Sequence, residues 1–161
     1  MSKFEIRRGS PSDNAPGLFN VAAALRGVAC QSKVGLALGS PIEFELATGT
    51  GGFIGFLTRE VTVAGPVVLD SVYPGRLELP FKLGGQVMLQ KADAVEAEGS
   101  DYLDLATANK LLAAGTAIGT LCSFEAGKFC KADTGQQGFY KLAAFLTPET
   151  AGNLRLKFER V

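Results

Sequence analysis

The 161-residue chain contains no histidine. That absence removes the commonest general base, the commonest metal ligand and every Ser–His or Cys–His nucleophile pair. Tryptophan is also missing, which weakens a reading as a polysaccharide-binding module, because such a module needs exposed aromatic platforms. Neither sign of charge is in excess, with 16 Lys plus Arg against 16 Asp plus Glu. A nucleic-acid binder normally carries a basic surplus to meet the phosphates. The longest uncharged stretches, such as 111–124, are too short and too rich in glycine to span a bilayer, which takes about 20 apolar residues. The start of the chain is charged from Lys3 onward and lacks the apolar segment of a signal peptide. The expectation is a soluble protein made in a cytoplasm, with neither nucleic acid nor membrane as a partner.

Cysteine is scarce and odd in number: Cys30, Cys122 and Cys130. An odd count without a signal peptide argues against a secreted disulfide scaffold. Cys122 and Cys130 flank a turn signal at Ala126-Gly127, so a bridge across a hairpin is conceivable, but buried reduced thiols are the preferred reading. Three scattered cysteines without histidine do not make a usual zinc site. No catalytic residue, metal ligand or cofactor-binding residue is assigned, and the chain is read as not an enzyme.

Turn residues, by contrast, are abundant. Twenty glycines and seven prolines break the chain at short intervals, and the runs between them have strand length. Several alternate cleanly. Ile42, Phe44 and Leu46 oppose Glu43 and Glu45; Leu77, Leu79 and Phe81 oppose Arg76, Glu78 and Pro80; Leu154, Leu156 and Phe158 oppose Arg155, Lys157 and Glu159. Period-two patterning gives each run a core side and a wet side, and Pro80 places its strand at an edge or a bulge. Further strands are expected over 53–57, 60–63, 67–72, 87–91, 118–124 and 139–145. Helical signals are few: 102–114, capped by Asp101 and stopped by Gly115, and 20–25, stopped by Arg26-Gly27. The fold class is therefore all-β, an antiparallel sandwich or barrel with at most one or two short helices.

Candidate chemistry is thin. Glu43 and Glu45 share a strand face that reads as solvated, and carboxylates used as acids need a pocket. The acidic stretch 93–101 lacks the ligand register of a calcium loop and reads as a solvated loop. Gly49-Thr50-Gly51-Gly52 leads into a strand and not a helix, so a hairpin turn is preferred to a phosphate cradle. Phe53, Phe56, Phe139 and Tyr140 read as core more than as stacking platforms.

The first 35 residues differ from the rest. The segment 10–17 is rich in turn formers, and upstream Phe4 and Ile6 alternate with Glu5 and Arg7. Two readings stand level: an extended N-terminal arm, or a first strand tucked into the domain's own sheet. On the arm reading the chain divides into a lead-in, 1–35, and a β-rich domain, 36–161. An extended segment adds to a neighbour's sheet edge, so Phe4 and Ile6 would fill pockets while Arg7 and Arg8 pair with carboxylates. These four residues are the candidate protein interface.

Two stretches resemble the small decoration (cement) proteins of tailed bacteriophage capsids. One is Glu45-Leu-Ala-Thr-Gly-Thr-Gly-Gly-Phe-Ile-Gly-Phe-Leu-Thr-Arg-Glu-Val-Thr-Val63. The other is the tail 127–161, in which the glycine-flanked aromatic run Gly138-Phe139-Tyr140 precedes Ala-rich residues and then Leu154-Arg-Leu-Lys-Phe158. The likeness covers about half of the chain and consists of strand-and-turn phrases. It implies a non-enzymatic virion protein on the outer capsid surface that staples neighbouring major capsid protein subunits. It also implies a homo-oligomer, a trimer more than a dimer, and no cofactor. A tail-tube or head-completion subunit is the alternative within the same class.

Overall fold

The computed structural model describes residues 3–19, 24–33, 38–39, 43–50, 52–61, 86–106, 112, 116–146 and 154–161. Among the described residues nine strands carry the fold: β1 (Lys3–Phe19), β2 (Ala29–Ser32), β3 (Glu43–Leu46), β4 (Phe53–Leu57), β5 (Gln86–Glu98), β6 (Leu121–Glu125), β7 (Lys128–Lys131), β8 (Tyr140–Phe145) and β9 (Arg155–Arg160). They form one curled sheet in the order β1-β3-β2-β4-β5-β9-β8-β6-β7, with β1 also paired to β5. Every pairing among these described strands is antiparallel except β1 with β3. The protein is all-β, and no helix occurs among the described residues.

β1 and β5 are the long strands, and they organise the rest. One edge of β5 runs along β1 from Gln86 to Glu98. Its other edge pairs first with β4, at Leu89 and Gln90, and then with β9, from Ala94 to Glu98. The far end of β1 meets β3 at Leu18 and Phe19, so β1-β3-β2-β4-β5 close into a ring. Closure of this kind removes sheet edges that would otherwise present unpaired backbone groups.

The expected alternation holds where it can be checked. Phe44 is buried in β3, and Leu154, Leu156 and Phe158 are buried at and within β9. The inward aromatics meet in one cluster. Phe56 lies 5.0 Å from Phe4, 5.9 Å from Phe129 and Tyr140, and 6.1 Å from Phe124, centroid to centroid. Phe129 stacks on Phe158 at 3.9 Å. Phe56 and Tyr140 are thus core residues, as expected, and each such ring buries a large apolar area.

The β6–β7 turn forms where the sequence placed it. Ala126 (φ 48°) and Gly127 (φ 79°) both have positive φ, the signature of a type I′ hairpin that suits the twist of the flanking strands. Gly127 also joins the two parts of the sheet. Its N–H donates to Ala47 O at 2.9 Å, and its carbonyl accepts from Ala29 N at 3.0 Å. A Cβ on Gly127 would lie 2.5 Å from Val28 Cγ1. The neighbouring residues therefore predict opposite signs. Gly127→Ala combines left-handed strain with overpacking and costs about 2–4 kcal/mol. Ala126→Gly, at an exposed position, relieves strain and gains roughly 0.5 kcal/mol. Urea denaturation of both variants checks the pair, and shifts in the same direction would contradict this account of the turn.

Several expectations are corrected. The segment 102–106 is not helical: Asp104 N donates to Phe129 O, Phe129 N donates to Tyr102 O, and Leu103 forms a bridge with Phe129. Good helix formers yield here because Leu103 is fully buried against β7. Ala24 is likewise in a bridge, with Val61, so the candidate helix 20–25 does not form at its described end. Gly49 is not in a hairpin, because β2 lies between β3 and β4. Its loop instead crosses the end of β2 and is held by Thr48 N to Gln31 Oε1 at 3.0 Å and Gln137 N to Gly49 O at 3.1 Å. The acidic stretch is not a loop through Glu98 but the second half of β5. Strand pairing in β6 starts at Leu121, after a turn in which Gly119 has φ 91°. The expected strand 67–72, the alternating run 77–81 with Pro80, and the second half of 60–63 lie outside the described residues.

The largest correction concerns residues 1–35. Residues 3–19 are a strand of the domain's own sheet and not a free arm. The physical reason is Phe4, which is 6% exposed and sits 5.0 Å from Phe56 and 5.4 Å from Tyr102. The division at residue 35 falls within the sheet, since β2 precedes it and pairs with β3 and β4 after it.

Candidate protein-interaction surface

The alternation in β1 turns Phe4 inward and leaves Ile6 half-buried against the core. Glu5 and Arg7, between them, lie at the surface. Across the ladder Glu5 faces Glu96 of β5, a like-charge pair that would be unfavourable alone. Two guanidinium groups resolve it. Arg7 Nη2 lies 2.6 Å from Glu5 Oε2, and its Nε lies 2.8 Å from Glu96 Oε1. Arg155 of β9 places Nη2 at 2.7 Å from Glu96 Oε2 and 3.3 Å from Glu5 Oε2. The four charges alternate in sign across three strands.

Glu96 is the least exposed of the four. The hydrogen bond from Arg7 holds its carboxyl below the usual carboxylate range; burial opposes this, and Arg155 adds to the lowering. The Arg7 guanidinium is raised in turn, first by the same bond. A depressed carboxylate contributes stability above its unfolded pKa of about 4.3, and that contribution is lost as pH falls through the folded value. Glu96→Gln should therefore cost about 1 kcal/mol at pH 7, a figure kept low because Arg7 is half exposed. The gap between wild type and variant should close toward pH 3. Melting temperatures of both proteins at the two pH values check this, and a gap that stays constant would contradict it.

Register shifts fall on either side of Arg8, between Ile6, Arg8 and Gly9. A bulge locally bends and re-aims a strand. Arg8, opposite Ala94, is exposed. Beside the bulge lies an open groove of about 470 Å³, lined by Glu5, Ile6, Arg7, Gly9, Arg26 and Gln90. The sequence-predicted interface residues are therefore dispersed by role. Phe4 fills its own core in place of a partner's pocket. Ile6 and Arg7 line the groove, and Arg8 stands outside it. Arg26, Gln90, Glu96 and Arg155 were missed. No local signal marked Glu96 or Arg155, because each reads in sequence as an ordinary solvated charge and they meet Arg7 and Glu5 only across the sheet. Arg26 and Gln90 reach the site only through the ring closure, which no local pattern announces.

The reactive groups lie elsewhere. None of Cys30, Cys122 and Cys130 is in a disulfide, and all three are buried. Cys122 opposes Lys131 and Cys130 opposes Ser123, so the two thiols point to opposite faces of the hairpin and no bridge joins them. Burial pushes the Cys30 thiol up, and burial followed by the nearby Cys130 pushes Cys122 up to about 12. Tyr140, whose hydroxyl donates to Ala92 O, is raised by burial as well. Nucleophilic cysteines need the opposite environment. Among the described residues no group of three or more His, Cys, Asp or Glu is placed to hold a metal ion.

Comparison with known proteins finds no family model, no curated protein and no solved structure that matches this chain.

Proposed function

We propose that the chain is a non-enzymatic virion structural protein. In this reading it is a decoration protein that sits on the outer surface of a tailed-phage head and staples neighbouring major capsid protein subunits. The observation that carries the reading is the division of polar chemistry in the fold. The Cys30 and Cys122 thiols and the Tyr140 hydroxyl are buried with raised pKa values, whereas Glu5, Arg7, Glu96 and Arg155 on β1, β5 and β9 are locked to one another beside an open groove. Such a face suits contact with another protein, where charges set register and suppress wrong partners. The ring of strands supports the same reading, because an element that clamps a shell benefits from a closed scaffold. Attachment to the head outer surface and association with further copies of itself, as a trimer, belong to this proposal. So do its synthesis in the host cytoplasm and the absence of any cofactor.

Immunogold imaging of phage particles released from the source cells, with antibodies raised against the chain, tests it. Gold over the heads supports the proposal. Gold confined to tails would favour a tail-tube subunit, and particles free of the chain would overturn the virion reading.

A further inference from the structure

The groove beside the β1 bulge holds two polar side chains that the fold does not use. Among the described residues the Arg26 guanidinium and the Gln90 amide have no ion-pair or hydrogen-bond partner, although both line the groove. Arg26 is held in place by its backbone, whose carbonyl accepts the Tyr102 hydroxyl at 2.7 Å, so the residue is anchored while its charged end stays exposed. Gln90 lies on β5 next to Gly9. A Cβ on Gly9 would come within 2.9 Å of Lys91 O and 3.4 Å of Gln90 Nε2, so glycine keeps the two strands close and the floor open. Arg7 forms part of the wall, but its charge is already met by Glu5 and Glu96. The site thus offers one unneutralised guanidinium, one amide that both donates and accepts, and the half-buried Ile6 as an apolar contact.

We infer that this groove seats a carboxylate side chain, Asp or Glu, presented on an extended segment of a partner protein. Arg26 supplies the charge-assisted hydrogen bonds to the carboxylate. Gln90 pairs with the N–H and C=O groups of the segment's backbone, which needs both a donor and an acceptor. The Gln90 amide favours a peptide over a phosphate backbone, because its oxygen needs a donor, which a peptide N–H supplies and an acceptor-only phosphate does not. The inference rests on the reading that this face meets another protein, and it adds which chemistry the partner brings.

The test is an NMR titration of the ¹⁵N-labelled full chain, observing the side-chain signals of Arg26 Nε and Gln90 Nε2. Three probes are used: the peptide acetyl-Ala-Glu-Ala-Glu-Ala-amide, the same peptide with Gln for Glu, and a short oligothymidylate. The expected result is saturable shifts of both signals with the Glu peptide and at least about tenfold weaker binding of the Gln peptide. Arg26→Gln, followed at Gln90, should weaken the Glu peptide by a similar factor. Larger shifts with the oligothymidylate would overturn the inference in favour of a nucleic-acid contact. Absence of shifts, or equal binding by Arg26→Gln, would overturn it outright. None of these failures bears on whether the chain is found on phage heads, so the two proposals fail separately.

Discussion

Deletion of residues 2–16 is expected to abolish folding. The deleted segment contributes almost the whole ladder between β1 and β5, from Lys3↔Glu98 to Pro16↔Met88. It also carries Phe4, whose ring meets Phe56 and Tyr102. Truncating a buried Phe to Ala alone costs about 3–5 kcal/mol, against a total stability of roughly 5–15 kcal/mol for a domain of this kind. The deletion further removes Arg7 and Glu5 from the charged network, leaving Glu96 with Arg155 alone. Only Gly17↔Val87 and Leu18↔Gln86 would remain to hold the end of β1 against β5. Circular dichroism and a thermal melt of the truncated chain test this. A cooperative transition near that of the full chain would show that the segment is an accessory arm after all. Phe4→Ala separates the parts: it should lower stability by about 3–5 kcal/mol while leaving a folded protein at moderate temperature.

Alkali should destabilise the protein sharply. Cys30 and Cys122 are buried, and burial keeps both thiols protonated far above the ordinary cysteine range, Cys122 up to about 12. In the unfolded chain they ionise near pH 8.5. A group whose folded pKa is raised contributes stability that is fully present below the unfolded pKa and is lost as pH rises toward the folded value. Between pH 8.5 and 10 the unfolded state therefore gains ionised thiols that the folded state does not. The slope approaches about 1.4 kcal/mol per pH unit for each thiol, and the combined loss by pH 10 is about 4 kcal/mol. Tyr140, also raised by burial, adds to the loss above pH 10. Urea denaturation in the presence of reductant at pH 7, 9 and 10 measures this. Cys30→Ala and Cys122→Ala should each flatten the slope, whatever they cost at pH 7. A wild-type stability that is level between pH 8.5 and 10 would contradict the account. From about pH 6 to 7.5, by contrast, the curve should be nearly flat, because no histidine is present to titrate.

How much of this was legible depends on the distance over which each residue finds its partner. The alternation around Phe44 and over 154–158, and the turn at Ala126-Gly127, were readable because period-two burial and turn chemistry are local properties. β5 was readable only in its first part. Beyond Lys91 it continues through Ala, Asp and Glu, which are weak strand formers, and becomes a strand because β1 and β9 flank it on both edges. The segment 102–106 went the other way, since helix formers yielded to Leu103 bridging Phe129. The charged network was the least legible part. Arg7 and Glu96 stand 89 positions apart, and Arg155 and Glu5 stand 150 apart. Charges at such separations look like ordinary solvated residues until the sheet closes. Phe4 illustrates the same limit: a short alternating run with no neighbour in sequence reads equally as an arm or as a first strand, and only β5 and Phe56 decide between them.

The most direct test of the proposed decoration role is a sedimentation titration with tailed-phage heads assembled without the chain. Wild-type protein should co-sediment and saturate at a fixed ratio to the major capsid protein. Reversing the two exposed cations beside the bulge, with Arg8→Glu and Arg26→Glu together, should leave the melting temperature unchanged and weaken binding at least about tenfold, equivalent to about 1.4 kcal/mol. Wild-type protein that stays in the supernatant at every concentration would contradict the account.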